Sequence, residues 1–94
     1  MARVELRHAQ AARAGAWADE ARRILKSRAD SSVRLLGPAP APLARLEGKY
    51  RVHLILKAPT RARLQKLLSE LLEAPTMHRA AGALDVEIDP MSLL

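Results

Sequence analysis

The 94-residue sequence lacks cysteine, phenylalanine and asparagine, and its only aromatic residues are one tryptophan and one tyrosine. Without cysteine the chain cannot form disulfides, thiolate nucleophiles, zinc ribbons or iron–sulfur clusters. No apolar run approaches the ~20 residues of a membrane-spanning helix, and the N-terminal segment lacks the apolar stretch of a signal peptide. We therefore expect one small, soluble, cytoplasmic domain that does not contact membranes.

Motifs for catalysis and cofactor binding are also missing. The four glycines stand alone at positions 15, 37, 48 and 82, so the sequence has no phosphate-binding glycine loop, dinucleotide fingerprint or nucleophile elbow. The three histidines, His8, His53 and His78, are scattered along the chain without the short spacing of metal ligands. We expect no catalytic residue, metal or cofactor in this chain, and no nucleotide hydrolysis by it alone.

Three carboxylates near the end of the sequence, Asp85, Glu87 and Asp89, alternate with apolar residues. At this spacing they would lie on one face of a strand, where such a group could bind a hard cation. We favour the interpretation that they solvate a sheet edge and discourage edge-to-edge aggregation.

Basic residues outnumber acidic ones by sixteen to ten, which gives a net charge of +6 at pH 7 and a pI near 10.8. Such a surplus attracts polyanions, nucleic acid above all, through long-range attraction and release of counterions. Arginine outnumbers lysine by twelve to four. A GC-rich genome would produce the same arginine-rich composition without selection for nucleic-acid binding, so both explanations stay open.

Alternation of apolar and polar residues predicts four β-strands. They cover residues 3–7, 33–36, 50–57 and 84–89. The third is the clearest of the four. One of its faces would carry Tyr50, Val52, Leu54 and Leu56, and the other would carry Arg51, His53, Ile55 and Lys57. Pro90 terminates the last strand.

Apolar residues at spacings of three and four predict two helices. The first covers about residues 11–28, and we interpret its Trp17 as a core residue rather than a ligand platform. The second begins after Thr60, which is a good N-cap residue, and ends before Pro75. Its apolar stripe consists of Leu64, Leu67, Leu68, Leu71 and Leu72.

Alternating prolines fill residues 37–42, with the sequence Gly-Pro-Ala-Pro-Ala-Pro. Each proline fixes φ and lacks a backbone N–H group, so neither a helix nor a central strand can form there. We predict an extended, polyproline-like connector. A loop over residues 43–49 would follow it, with Gly48 at positive φ.

The predicted order is β-α-β-β-α-β, the split βαβ plan of ferredoxin-like domains. This is an α+β fold in which two helices pack on one face of a four-stranded, mainly antiparallel sheet. Strands one and three would be central, and side chains that point away from the helices would line an open face. We expect Arg34, Arg51, His53 and Lys57 to make one side of that face basic, and the three carboxylates to make the far edge acidic.

The junction of the third strand and the second helix is a candidate phosphate site. Lys57 would end the strand, while Arg61 and Arg63 would lie in the first helical turn, where backbone N–H groups also point outward. An ordinary solvated surface is the alternative. Tyr50 has the phase of the core residues of its strand, so we do not expect the base stacking that RNA-recognition domains use.

Three motifs occur together in this sequence. They are Gly37-Pro38-Ala39-Pro40, Gly48-Lys49-Tyr50-Arg51, and Val86-Glu87-Ile88-Asp89-Pro90 near the end. Together they resemble the C-terminal domain of the PriA family, the primosomal replication-restart helicases, and the resemblance extends over nearly everything from the first strand onward. The sequence departs from the family at Val52, where an aromatic residue often follows the Tyr-Arg pair.

The resemblance implies more than the pattern alone. PriA-family proteins recognise stalled forks, unwind DNA with ATP in the 3′-to-5′ direction and help to reload the replicative helicase. The helicase motifs and zinc-binding cysteines are absent here, so ATP and zinc would belong to other domains of a parent protein from which this domain is taken. The family's last domain resembles a small-subunit ribosomal protein in fold, and it contributes to binding of branched and single-stranded DNA, single-strand-binding protein and other primosome proteins.

We therefore predict an accessory DNA-binding and interaction domain that contacts fork or single-stranded DNA through phosphates, without reading base sequence. The alternatives are a docking module for other helicase domains or single-strand-binding protein, with little DNA affinity, and an RNA-contacting, ribosomal-like domain. The candidate DNA-binding residues are Lys49, Tyr50, Arg51, Lys57, Arg61, Arg63 and Arg34.

Overall fold

The computed structural model describes residues 1–77 and 83–88, apart from the side chains of residues 42–44 and 46. The predicted α+β order is confirmed. Its elements are β1 (Ala2–His8), α1 (Ala11–Arg28), β2 (Arg34–Leu46), β3 (Lys49–Lys57), α2 (Arg61–Glu73) and β4 (Leu84–Ile88). The strands form one sheet in the order β2-β3-β1-β4, so β1 and β3 are central as predicted. Every neighbouring pair of strands is antiparallel.

The core lies between the sheet and the two helices. Alternate residues of the central strands, including Val4, Leu6, Leu54 and Leu56, are completely buried, because successive side chains of a strand point to opposite faces. Each such leucine contributes about 1.5–3 kcal/mol when it is removed from water. The helices complete the core with Ala18, Ala21, Ile24, Leu25, Leu64, Leu67, Leu68 and Leu71.

The two helices follow the predicted pattern closely. The hydroxyl of Thr60 accepts a hydrogen bond from the backbone N–H of Arg63 at 3.1 Å, so Thr60 is the N-cap of α2. Trp17 is partly buried against the core, with its ring edge-on to His8 at 5.0 Å between centroids. Leu72 departs from the prediction: it is 49% exposed, because it lies about 100° around the helix from the buried Leu71.

The proline-rich segment is not a connector, and this prediction is wrong. Residues 37–42 belong to β2, which extends to Leu46 and pairs with β3. The strand tolerates proline because it lies at the edge of the sheet and its register shifts between Leu36 and Ala39 and between Pro40 and Arg45. The sequence correctly excluded a central strand, but it did not exclude an edge strand.

The predicted loop over residues 43–49 contracts to a two-residue turn. Glu47 and Gly48 join β2 to β3, and both have positive φ, at 53° and 78°. Positive φ at both turn residues matches the twist of an antiparallel hairpin. The turn places Lys49 at the start of β3, opposite Leu46.

Candidate nucleic-acid interface

The open face of the sheet carries most of the predicted site. Arg3, Glu5 and Arg7 of β1 alternate with buried residues, and so do Arg51 and His53 of β3. Since the buried residues face the helices, these polar side chains lie on the other side. The register places Glu5 opposite His53 on one side and Asp85 on the other, and Arg7 opposite Arg51.

Glu5 organises the middle of this face. Its Oε1 accepts hydrogen bonds from Nε and Nη2 of Arg51 at 3.0 and 2.8 Å, and lies 2.8 Å from Nε2 of His53. Its Oε2 lies 3.5 Å from Nε of Arg7. Glu5 and His53 are each only 7% exposed. We refer to Glu5, Arg7, Arg51 and His53 as the Glu5 cluster.

The environment of Glu5 favours its ionised form. Burial raises the pKa of the Glu5 carboxyl, but hydrogen bonds from Arg51 and His53, together with the positive charge of Arg51, outweigh burial and lower the pKa below its ordinary value of 4.5. Glu5 is therefore a carboxylate at neutral pH. The negative charge of Glu5 offsets the positive charge of Arg51. Arg51 therefore adds less to the positive electrostatic potential of the open face than the sequence suggested.

Arg34 and Lys57 form a separate basic group at the other end of β3. The two residues are Cα partners in the β2–β3 ladder, and both are exposed. Within residues 1–77 and 83–88, neither side chain takes part in a hydrogen bond or an ion pair. We refer to Arg34 and Lys57 as the strand-end pair. It lies about 20 Å along β3 from Arg51, at the usual rise of a strand.

The predicted basic side of the face is thus divided. Arg51 and His53 face the open side as expected, but they converge on Glu5, whereas Arg34 and Lys57 remain exposed. Sequence reasoning missed Glu5. Its alternation with Val4 and Leu6 indicated which face it occupies, but only the register of β1 against β3 places it between Arg51 and His53.

Lys49 lies near the Glu5 cluster and lines a cavity of about 320 Å³. Four basic and three acidic residues line it: Arg3, Arg7, Lys49, Arg51, Glu5, Glu47 and Asp85. The balance of charges makes this end of the face only weakly positive. The predicted acidic edge is also partly neutralised, because Glu87 forms an ion pair with Arg3, and Asp89 lies outside the described residues.

Tyr50 lies away from the open face. It is the Cα partner of His8, which packs against Trp17 of α1, so both side chains are on the helix side of the sheet. The guanidinium carbon of Arg45 lies 5.3 Å from the centroid of the Tyr50 ring, a cation–π contact across the hairpin. The structure therefore separates Tyr50 from Arg51, although the two are adjacent in the chain.

At the start of α2, Arg63, one of the predicted phosphate-binding residues, makes contacts within the protein. Nη2 of Arg63 donates to Oδ2 of Asp30 at 3.1 Å and to the carbonyl oxygen of Arg28 at 3.4 Å. These contacts join α2 to the loop after α1. Arg61 is exposed in the first turn, four residues after Lys57.

Other predictions about sites concern metals and membranes. Among residues 1–77 and 83–88, no group of three histidine or acidic side chains could hold a metal ion, and His78 lies outside that part of the chain. No helix in the described part of the chain is long and apolar enough to cross a membrane.

Two helices on one face of a four-stranded antiparallel sheet, with charged residues on the other face, define a small α+β domain of the split βαβ type. Residues 1–91 match the family described as the primosomal protein N C-terminal domain, and the chain belongs to this family. The resemblance that the three motifs indicated is confirmed.

Two curated relatives agree with this assignment. The chain is 35% identical over 68 residues to the replication restart protein PriA of Haemophilus influenzae, which covers 72% of this chain. It is 30% identical over 73 residues to the replication restart protein PriA of Bacillus subtilis, which covers 78% of this chain. The matched region spans only 9% of the length of each relative.

Proposed function

We propose that this chain is an accessory DNA-binding and interaction domain of a PriA-type replication-restart helicase. It contacts fork or single-stranded DNA through phosphates and does not read base sequence. Family membership and the net charge of +6 support this proposal. The observation that carries it is the strand-end pair, in which two exposed cations face each other across β2 and β3.

The physical reason concerns the charge of the strand-end pair. Like charges directly opposite each other in a sheet are destabilising, and neither Arg34 nor Lys57 has a carboxylate partner within the described part of the chain. A phosphate that approached the pair would meet two basic side chains at once and would release counterions from the DNA. Arg61 follows Lys57 closely in the chain and would extend the same basic surface toward α2.

The Glu5 cluster has a secondary role in this proposal. Arg51 is held by Glu5 and its side chain is only 18% exposed, so it would contribute less to DNA binding than the exposed cations of the strand-end pair. Arg7 and Lys49 lie beside it and supply the remaining positive charge of that end. Contacts there would be weaker than at the strand-end pair, because Glu5, Glu47 and Asp85 oppose them. Arg63 and Tyr50, which have structural contacts, would contribute least.

The same proposal assigns the remaining activities to other parts of a parent protein. ATP-dependent unwinding and zinc binding would belong there, and single-strand-binding protein and primosome proteins would be further partners of the domain.

A second candidate function, a docking module with little DNA affinity, is favoured by a groove of about 340 Å³ between α1 and β2. Basic and apolar side chains line it: Arg22, Lys26, Val33 and Leu35, with Ala29 and Asp30.

Fluorescence anisotropy of this chain with single-stranded, duplex and forked DNA across a salt series tests the proposal. We expect the double variant Arg34→Gln with Lys57→Gln to bind DNA more weakly. The slope of the logarithm of the binding constant against the logarithm of salt concentration should also become shallower, by about 0.7 for each phosphate of single-stranded DNA that the variant no longer neutralises. The matched control is Arg13→Gln with Lys66→Gln, which removes the same charge from exposed positions on the two helices.

The control variant separates a local contact from a general effect of net charge. Equal losses of affinity in the two double variants would contradict a site at the strand-end pair. Absence of DNA binding at low salt would refute the DNA-binding proposal and leave the docking module as the remaining function.

A further inference from the structure

A small apolar patch lies next to the strand-end pair on the open face. Leu36 of β2 is the Cα partner of Ile55 of β3, one row further along the ladder than Arg34 and Lys57. Leu36 is 50% exposed, whereas the preceding residue, Leu35, is partly buried against the core. Ile55 is partly buried and faces the same side. We refer to Leu36 and Ile55 as the apolar patch.

Charged groups surround the apolar patch unevenly. On its other side Ile55 is the Cα partner of Arg3, which is ion-paired with Glu87 and therefore neutralised. On the side of the strand end lie the two exposed cations. Rows of a sheet face are about 6.7 Å apart and strands about 4.8 Å apart, so the patch and the strand-end pair lie within reach of adjacent groups of one ligand.

On the basis of the DNA-binding function proposed above, we infer that the apolar patch is a contact site for an unpaired base, with the neighbouring phosphates held by the strand-end pair. A nucleotide in a single strand presents an apolar base face beside an anionic phosphate. The patch and the pair offer the complementary groups in the same arrangement. A duplex keeps its base faces stacked inside, so it can use only the strand-end pair.

The shape of the surface favours a base over a peptide side chain. Anchor side chains of peptides and proteins bind in well-packed pockets. Neither the cavity beside the Glu5 cluster nor the groove between α1 and β2 is lined by Leu36 or Ile55. A planar base needs no such pocket, because it can lie against the exposed side chain of Leu36 beside Ile55. The site therefore selects single-stranded over duplex DNA without reading sequence.

The test compares three fluorescent DNA probes of equal length at low salt: oligothymidylate, an abasic oligonucleotide with the same phosphates, and a duplex. We expect the wild-type chain to bind oligothymidylate about three- to tenfold more tightly than the abasic probe, less than the effect of a full aromatic stack. Leu36→Ser should remove this difference and leave duplex binding within about twofold, because it keeps the charges of the strand-end pair.

Leu72→Ser is the matched control. Leu72 is 49% exposed, nearly the same as Leu36, but it lies on α2 on the opposite side of the sheet. It should retain the preference for oligothymidylate over the abasic probe. Circular dichroism and thermal melting would establish that both variants fold.

The outcomes separate this inference from the proposed function. Equal binding of oligothymidylate and the abasic probe by the wild-type chain, or an unchanged preference in Leu36→Ser, would overturn the base contact while DNA binding itself stands. Binding of an acidic, leucine-containing peptide that depends on Leu36, with no preference for bases, would assign the patch to a protein partner instead. No binding of any DNA probe would overturn both proposals.

Discussion

The strand-end pair and the Glu5 cluster lie on the same face of β3, and both contain basic residues at alternating positions of that strand. They differ in what faces them across the sheet. Arg51 meets the carboxylate of Glu5 on β1, whereas Lys57 meets Arg34 on β2. The side chains that the neighbouring strand brings near a basic residue therefore decide whether its charge is neutralised, as at Arg51, or stays exposed, as at Lys57.

Removal of the Glu5 carboxylate should have the largest effect. Glu5→Ala leaves Arg51 and His53 without their shared hydrogen-bond acceptor. We expect the free energy of unfolding to fall by about 2–3 kcal/mol. This is less than the loss for a fully buried ion pair, because Arg51 is partly exposed. Urea denaturation measures it. Glu87→Ala, which breaks the exposed ion pair with Arg3, should cost less than about 1 kcal/mol. Similar losses in both variants would mean that the Glu5 cluster is an ordinary surface ion pair.

A substitution at Gly37, in the bulge of β2 between the two regions, should have the next largest effect on the stability of the fold. Gly37 has a φ of 97°, and a Cβ there would lie 2.8 Å from the carbonyl oxygen of His53. Gly37→Ala should therefore destabilise the fold by about 2 kcal/mol through backbone strain and displacement of the edge strand. Gly15→Ala, with open space around the added methyl in α1, should stabilise it by about 0.5–1 kcal/mol. A neutral Gly37→Ala in thermal melting would contradict the close approach of β2 to β3.

The Glu5 cluster should also make stability depend on pH. Because the folded state lowers the pKa of Glu5 below its ordinary value of 4.5, the stabilisation is present above that value and is lost as the pH falls through the lower folded pKa. Glu5→Gln should therefore lose less stability than the wild type on acidification in this window.

Two other lowered pKa values do not affect that comparison. Hydrogen bonds from Arg23 lower the pKa of Glu20, and hydrogen bonds from Ser32 lower the pKa of Asp30. Both proteins share these groups, so their contributions cancel in the difference. Parallel curves of unfolding free energy against pH would show that Glu5 gains no stabilisation from its partners.

For DNA affinity we expect the opposite order: substitutions in the strand-end pair should have a larger effect than substitutions in the Glu5 cluster. Lys57→Gln removes an exposed cation of the strand-end pair, and we expect it to weaken binding of single-stranded DNA about three- to fivefold at low salt. Arg51→Gln should weaken it less than about twofold, since Glu5 already offsets that charge. Anisotropy titrations of folded variants measure both. A larger effect for Arg51 would place the main DNA contact at the Glu5 cluster.

The smallest effect should be a gain in stability from the strand-end pair. Lys57→Gln relieves the repulsion between opposed cations, so we expect about 0.2–0.5 kcal/mol of stabilisation at low salt, which disappears at high salt through screening. Lys66→Gln on α2 is the control and should leave stability nearly unchanged. A destabilised Lys57→Gln would show that Lys57 has a structural role.

Much of the fold could be predicted because it depends on local patterns. The period of apolar residues placed α1 and the central strands, and Thr60 marked the start of α2 through its capping hydroxyl. The extent of β2 could not be predicted in this way. Proline excludes a strand with neighbours on both sides, but an edge strand needs backbone pairing on one side only.

The sequence by itself determined the order of elements, the helix-facing residues of the central strands and the family, since these follow from residue type and spacing along the chain. Only the tertiary structure decided which charges neutralise each other. The register of β1 against β3 brings Glu5 to Arg51 and His53, and the register of β2 against β3 brings Arg34 to Lys57. Register joins residues that are tens of positions apart, and the energy of a charge depends on its nearest neighbours in space, so no local pattern could have distinguished the two ends of this face.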